Sequence, residues 1–167
     1  QEYMWQGDPQ YWGRTSPILF PFVGSLKNKC YTYEGKTYPM GQHGFARDME
    51  HALLSKTETE IYFELTSTEE TMEKYPFAFA LSLGYELAGN ELKVIWKVTN
   101  TDTGKTLHFS IGAHPAFNCP IHGEDNKAGY KFYFAGADEI HHHGHTDTGL
   151  SIEEDVVLPL ENHRATM

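Results

Sequence analysis

Two histidine-bearing segments hold the residues best suited to acid–base chemistry. One is Gln42-His43-Gly44-Phe45-Ala46-Arg47-Asp48, and the other is Gly112-Ala113-His114-Pro115-Ala116-Phe117-Asn118. Each sets a histidine among glycine, aromatic and polar residues where an extended run stops. Imidazole has an ordinary pKa near neutrality, so a histidine at a strand end can move a proton or contact a polar ligand. The second segment closes an alternating run in which Leu107, Phe109, Ile111 and Ala113 alternate with His108, Ser110, Gly112 and His114. Read as a strand, this run puts His114 on a face with a serine and a glycine, which leave space and do not fill a core. Such a face predicts the floor of a pocket.

Strands must hold these residues in place. Aromatics make up 14% of the 167 residues, and Val, Ile, Thr, Tyr, Phe and Trp recur in short alternating runs. Residues 60–67 alternate Ile61, Phe63 and Leu65 against Tyr62, Glu64 and Thr66, which predicts a half-buried strand. Lys29–Glu34 and Lys36–Pro39 flank a hairpin-type turn. Ser67 or Thr68, followed by Glu69, Glu70 and Glu73, predicts a short helical turn that stops before Pro76. Phe77–Leu87, Glu91–Asn100 and Leu107–Ala113 predict a meander of three antiparallel strands, and Tyr130–Phe134 a further strand. The expectation is an all-β fold, an antiparallel β-sandwich forming one domain over residues 1–167.

A formal net charge of −10 argues against nucleic acid and against an anionic membrane surface, since both need clustered Lys and Arg. No apolar run approaches the roughly 20 residues of a membrane span. Cys30 and Cys119 are too few and too far apart for a disulfide framework or a zinc knuckle. They read as reduced, semi-buried thiols, which points to the cytoplasm. The sequence opens on Gln1 with no basic-then-apolar leader, and it reads as an excerpt of a longer polypeptide.

Four ordered stretches carry a family resemblance: Tyr3-Met4-Trp5-Gln6-Gly7-Asp8, Trp12-Gly13-Arg14-Thr15-Ser16-Pro17-Ile18-Leu19-Phe20-Pro21, His43-Gly44-Phe45-Ala46-Arg47-Asp48 and Gly112-Ala113-His114-Pro115. In this order the chain resembles the aldose 1-epimerase (galactose mutarotase) family. It looks nearest to the mutarotase-like branch related to hexose-6-phosphate mutarotases. The resemblance implies a galactose mutarotase-like supersandwich, here incomplete, that binds an aldohexose and interconverts its anomers with no cofactor and no metal. It assigns the general-acid role to His114 and a contact with sugar oxygens near the ring oxygen to His43. Arg47 and Arg14 correspond to arginines that hold phosphate in the hexose-6-phosphate branch, and Asp48 belongs to the same motif. Trp12 and Phe117 are candidates to stack on a sugar face. Where galactose mutarotases place an arginine, this chain has Lys29 after Asn28, which loses bidentate geometry. The family's general base is a glutamate near the end of a considerably longer chain, and these 167 residues offer no counterpart. The expectation is an excerpt that carries the acid half of the machinery and does not turn over sugar alone.

Plainer readings stand beside these. His114 can be a strand-end histidine capping a carbonyl, and His43 a turn histidine that orders its loop. Arg47 and Arg14 can simply pair with Asp48 and other acids. Trp5, Trp12 and Trp96 most often serve as packing residues. The run His141-His142-His143-Gly144-His145 can capture Zn²⁺ or Ni²⁺, but neighbours on an extended segment point opposite ways, so the reading is an exposed polar loop. The alternative functions are a non-catalytic sugar-binding or regulatory module on the same fold, and a small metal-dependent β-barrel enzyme.

Overall fold

A computed structural model describes residues 1–121, 123 and 127–166, which gather into two compact units. One is Ile18–Gly112, and the other joins Gln1–Pro17 to Ala113–Met167. The first opens with β1 (Ile18–Leu19) and the hairpin β2 (Cys30–Tyr33) and β3 (Lys36–Pro39). Tyr33 pairs with Lys36, so the hairpin loop is Glu34-Gly35, and both residues have positive φ (48° and 77°). That is the primed turn whose twist matches its strands.

The main sheet runs β4 (Ala52–Lys56), β5 (Glu60–Thr66), β6 (Phe79–Ala88) and β7 (Glu91–Asn100), each antiparallel to the next. Register places Leu65, Leu81 and Val98 side by side, and likewise Phe63, Leu83 and Trp96. The alternation read from the sequence therefore becomes one apolar face. Phe20, Phe79 and Leu81 are fully enclosed on it, with Tyr75 and Phe77 closing the side. On the opposite face the Tyr62 ring lies across Gly84, where a Cβ would come within 2.3 Å of a ring carbon. The Tyr62 hydroxyl donates to Glu86, which Lys93 also approaches at 3.2 Å. These partners, Tyr62 foremost, hold the Glu86 carboxyl below its usual range, and the bond to Glu86 in turn pushes the Tyr62 hydroxyl up to about 12.

Between β5 and β6 sits α1 (Glu69–Lys74), capped as its residue types require. The Thr68 hydroxyl accepts from the Thr71 N–H, and the Thr71 hydroxyl accepts from the Thr68 N–H. Lys74 pairs with Glu70 at 2.8 Å.

One expected strand is corrected. Only Gly112–Ala113 of the run Leu107–Ala113 is a strand, β8, and β7 is the edge of the four-stranded sheet. The meander is β4 to β7. The reason lies in the core. Tyr75, completely buried, donates its hydroxyl to the His108 carbonyl at 2.6 Å, and Phe109 tilts against Phe20 at 5.8 Å. Residues 107–111 thus close the aromatic core and do not extend the sheet.

In the second unit, β9 (Lys131–Tyr133) pairs antiparallel with β12 (Arg164–Thr166), and β10 (Glu139–His145) with β11 (Ser151–Pro159). The histidine run is a strand, which corrects the loop expected there: His141 and His142 face Val157 and Val156. The irregularity between His143 and His145 coincides with Gly144, which abuts Ile152. Among the described residues, no helix is long and apolar enough to cross a membrane.

Gly44 locks the first unit together. It forms a parallel bridge with Phe20, has φ of 72°, and a Cβ there would lie 2.1 Å from the Phe20 carbonyl oxygen. Gly44→Ala is expected to destabilise the chain by about 3 kcal/mol. Gly89→Ala, at a similar φ of 62° but with open space around it, is expected to cost only about 1 kcal/mol. Urea denaturation of the two variants checks the difference.

Candidate functional site

His114 follows β8 on an extended rib of the second unit. Its N–H donates to the Pro17 carbonyl at 3.2 Å, and the Ala116 N–H donates to Thr15 at 3.0 Å. On the rib's other side Trp5 donates to the Ala116 carbonyl and Asn118 to the Tyr3 carbonyl. The Asn118 side chain adds bonds to the carbonyls of Met4 and Glu2. A backbone tied on both sides gives His114 a fixed base, and its side chain is exposed. The imidazole packs edge-on against Trp12, with centroids 4.9 Å apart and planes 63° to each other. Trp12 is held in turn by the Trp5 indole N–H, which donates to its carbonyl at 2.8 Å. Trp12 is therefore a neighbour of His114 and only partly buried. Phe117 is 65% exposed on the same rib, and Arg14 is half-buried.

His43, Arg47 and Asp48 lie together in the first unit, in the loop that Gly44 anchors. Phe45 and Ala46 both donate their N–H groups to the Phe20 carbonyl, and a short 3₁₀ turn, Ala46–Asp48, follows. His43 has φ of 63°, a left-handed conformation that is uncommon for a residue with a side chain. Its N–H donates to the Gly24 carbonyl at 2.8 Å, and the Gly24 N–H donates back to its Nδ1 at 2.9 Å. Arg47 turns its Nη2 onto the Gln42 carbonyl at 2.9 Å, and its Nε lies 3.7 Å from Asp48. That Nε is buried without a hydrogen bond. Arg47 thus braces the His43 loop, a role its residue type did not reveal.

Two of the hollows in this unit gather polar and aromatic side chains. Lys29, Met40, Phe45, Asp48, Glu70 and Lys74 are among the residues lining one of about 460 Å³. It brings Asp48 and Lys29 to one concavity with a second lysine and a second acid. The other, of about 390 Å³, is walled by Phe22, Tyr31, Tyr33, Tyr75 and Phe77, with His108 and Ser110 on its rim. Sequence reasoning missed both, because Glu70, Lys74 and the tyrosines carry no motif.

On β10, His141 sits between two acids, with Nδ1 2.8 Å from Asp155 and Nε2 3.0 Å from Glu139. Both ring nitrogens are engaged by carboxylates, Asp155 more strongly, and they raise the imidazole pKa above its ordinary value. No cluster of three or more His, Cys, Asp or Glu able to hold a metal ion occurs among the described residues.

Comparison with known proteins places these features in context. A family model described as aldose 1-epimerase matches residues 1–152. Protein LacX of Lactococcus lactis subsp. lactis, in plasmid and chromosomal forms, is 35% identical over 170 residues, which cover 98% of this chain and 57% of the relative. The chain thus spans 57% of the length of the curated relatives it matches. A galactose mutarotase related enzyme from Lactobacillus acidophilus superposes with a TM-score of 0.91 at 37% identity, over 100% of this chain and 55% of its own. A galactose mutarotase-like protein from Lactobacillus casei superposes at 0.81 with 32% identity, over 100% of this chain and 57% of its own. The antiparallel, all-β architecture is the one those structures share.

The His141 environment has a measurable consequence. A pKa raised by folding favours the folded state fully below the unfolded value, and this contribution disappears as pH rises through the folded pKa. NMR titration of His141 is expected to give a midpoint above 6.5. Asp155→Asn should lower that midpoint more than Glu139→Gln.

Proposed function

This chain belongs to the aldose 1-epimerase family, and we propose that it supplies the acid-bearing part of an enzyme that interconverts the α and β anomers of an aldohexose. What supports this reading most is His114: an exposed imidazole on a doubly tethered rib, packed against the Trp12 indole. Mutarotation requires little else of an acid than reach and a pKa near neutrality. His114 as imidazolium donates its proton to the pyranose ring oxygen while the C1–O5 bond breaks. The anomeric hydroxyl gives its proton to a base, and a C1 aldehyde forms. After rotation about C1–C2, the O5 hydroxyl adds to the other face of the aldehyde, its proton returns to His114, and the base returns its own to O1. Atoms and charges balance over the cycle, so no cofactor enters.

In this reading His43 donates to a sugar oxygen, and Trp12 and Phe117 offer apolar ring faces to pyranose C–H bonds. Asp48 accepts from a sugar hydroxyl, and Arg14 and Arg47 are secondary polar contacts. A neutral hexose is favoured over a hexose phosphate, because Arg47 already engages Gln42 and Asp48 and the net charge is −10. The base is a glutamate in the family, and we assign it to none of these 167 residues.

Polarimetry and NMR test the reading together. With the 167-residue chain present, fresh α-D-galactose or α-D-glucose is expected to relax at the buffer rate. Clear acceleration would overturn the assignment of the base to another part of the protein. The same chain, ¹⁵N-labelled, is expected to show shifts at His114 on adding galactose or glucose. Silence at His114 with these sugars and with glucose 6-phosphate would sink the sugar site. In a polypeptide that includes the base, His114→Gln should slow anomerisation by roughly 10²- to 10⁴-fold.

A further inference from the structure

We infer that Gly24 fixes His43 in one neutral tautomer, with the proton on Nε2, and so makes it a hydrogen-bond donor and not a second acid–base group. The Gly24 backbone N–H can only donate, and it points at Nδ1 at 2.9 Å. Nδ1 must therefore present its lone pair, and a neutral imidazole has one N–H, which goes to Nε2. Protonating Nδ1 would set two N–H groups head to head and strand the half-buried Gly24 amide without an acceptor.

The surrounding structure is built to keep Gly24 there. Its carbonyl accepts the His43 N–H at 2.8 Å, so the two residues are joined by reciprocal bonds. The preceding residue, Val23, donates its N–H to the Ser110 hydroxyl at 3.0 Å, and Ser110 donates its N–H to the Pro21 carbonyl at 2.9 Å. Residues 107–111 are themselves tied to the core through the Tyr75 hydroxyl on His108. On the other side, the left-handed backbone of His43 and the Gly44–Phe20 bridge fix the ring's base. Gly24 is thus a positioning residue that acts through its main chain.

That the Nε2–H is offered to a sugar oxygen rests on the role proposed for His43 above; the tautomer does not. Long-range ¹H–¹⁵N correlation on the intact ¹⁵N-labelled chain reads the tautomer directly. The expected result is an unprotonated Nδ1 and a protonated Nε2 at neutral pH. A protonated Nδ1, or a rapidly averaging mixture, would overturn the inference.

Two substitutions separate holding from donating. His43→Asn retains an acceptor near the Nδ1 position, tolerates a left-handed backbone, and has no group where Nε2 stood. It should keep the Gly24 amide protected from hydrogen exchange and weaken galactose binding by about tenfold. His43→Gln places an amide donor near Nε2 and has no Nδ1 equivalent. It should lose the protection of Gly24 and weaken binding less. The reverse order of the two affinities would refute the donor role. A wild-type chain with the Nε2–H tautomer that answers to no hexose would leave the tautomer standing and refute the sugar reading instead.

Discussion

One carbonyl oxygen, that of Phe20, is the constraint around which the larger unit is arranged. It receives the N–H groups of both Phe45 and Ala46, at 3.0 and 3.1 Å, and Gly44 lies so close that any side chain would collide with it. The Phe20 ring, on the same residue, is fully enclosed and touches Phe79, Tyr75 and Phe109. A single residue therefore couples the deepest packing of the core to the loop that carries His43. Disturbing either side moves the other, because a buried backbone acceptor cannot exchange its partners for water without loss.

The core reaches the loop by a second route, which begins at Tyr75. Burial pushes its hydroxyl well above the usual phenol range, with the Tyr31 hydroxyl adding to the effect. Tyr75 stays a neutral donor, and its bond to the His108 carbonyl turns residues 107–111 inward. From there Ser110 holds Val23, and Gly24 holds His43. Hydrogen bonds of this kind contribute little individually to net stability. Their value here is directional: each fixes the donor or acceptor of the next, so the ring at the far end has one orientation.

The sequence revealed those elements whose signal is local. Strands β5, β6 and β7 follow from strict alternation over long runs. The Glu34-Gly35 turn and the Thr68 cap follow from residues with few other uses. The run Leu107–Ala113 alternates just as clearly, but alternation states which side faces the core and says nothing about which strand lies alongside. The core claimed that run before the sheet could. The histidine stretch failed in the opposite sense. Exposed on a hairpin, it has no apolar rhythm, and its pairing with Val156 and Val157 depends on a partner more than a dozen residues away. Among the candidate site residues, His43 and His114 stand out by type and motif, whereas Gly24 contributes only main-chain groups, an N–H and a carbonyl, which distinguish no residue type.

Three histidines show why residue type underdetermines role. At 43, a backbone N–H occupies Nδ1 and leaves the ring a donor at Nε2. At 141, carboxylates flank both nitrogens, so both are called on to donate and the imidazolium is favoured. At 114, an indole packs against the ring, and a tethered rib holds it at an exposed position. The partners of the two nitrogens decide whether an imidazole can gain and lose a proton within one reaction cycle. Fixed as a donor, His43 is unsuited to that task; at His141 the flanking carboxylates raise the imidazole pKa and favour the protonated ring. Of the three, His114 is the one whose proposed role requires the ring to alternate between acid and base.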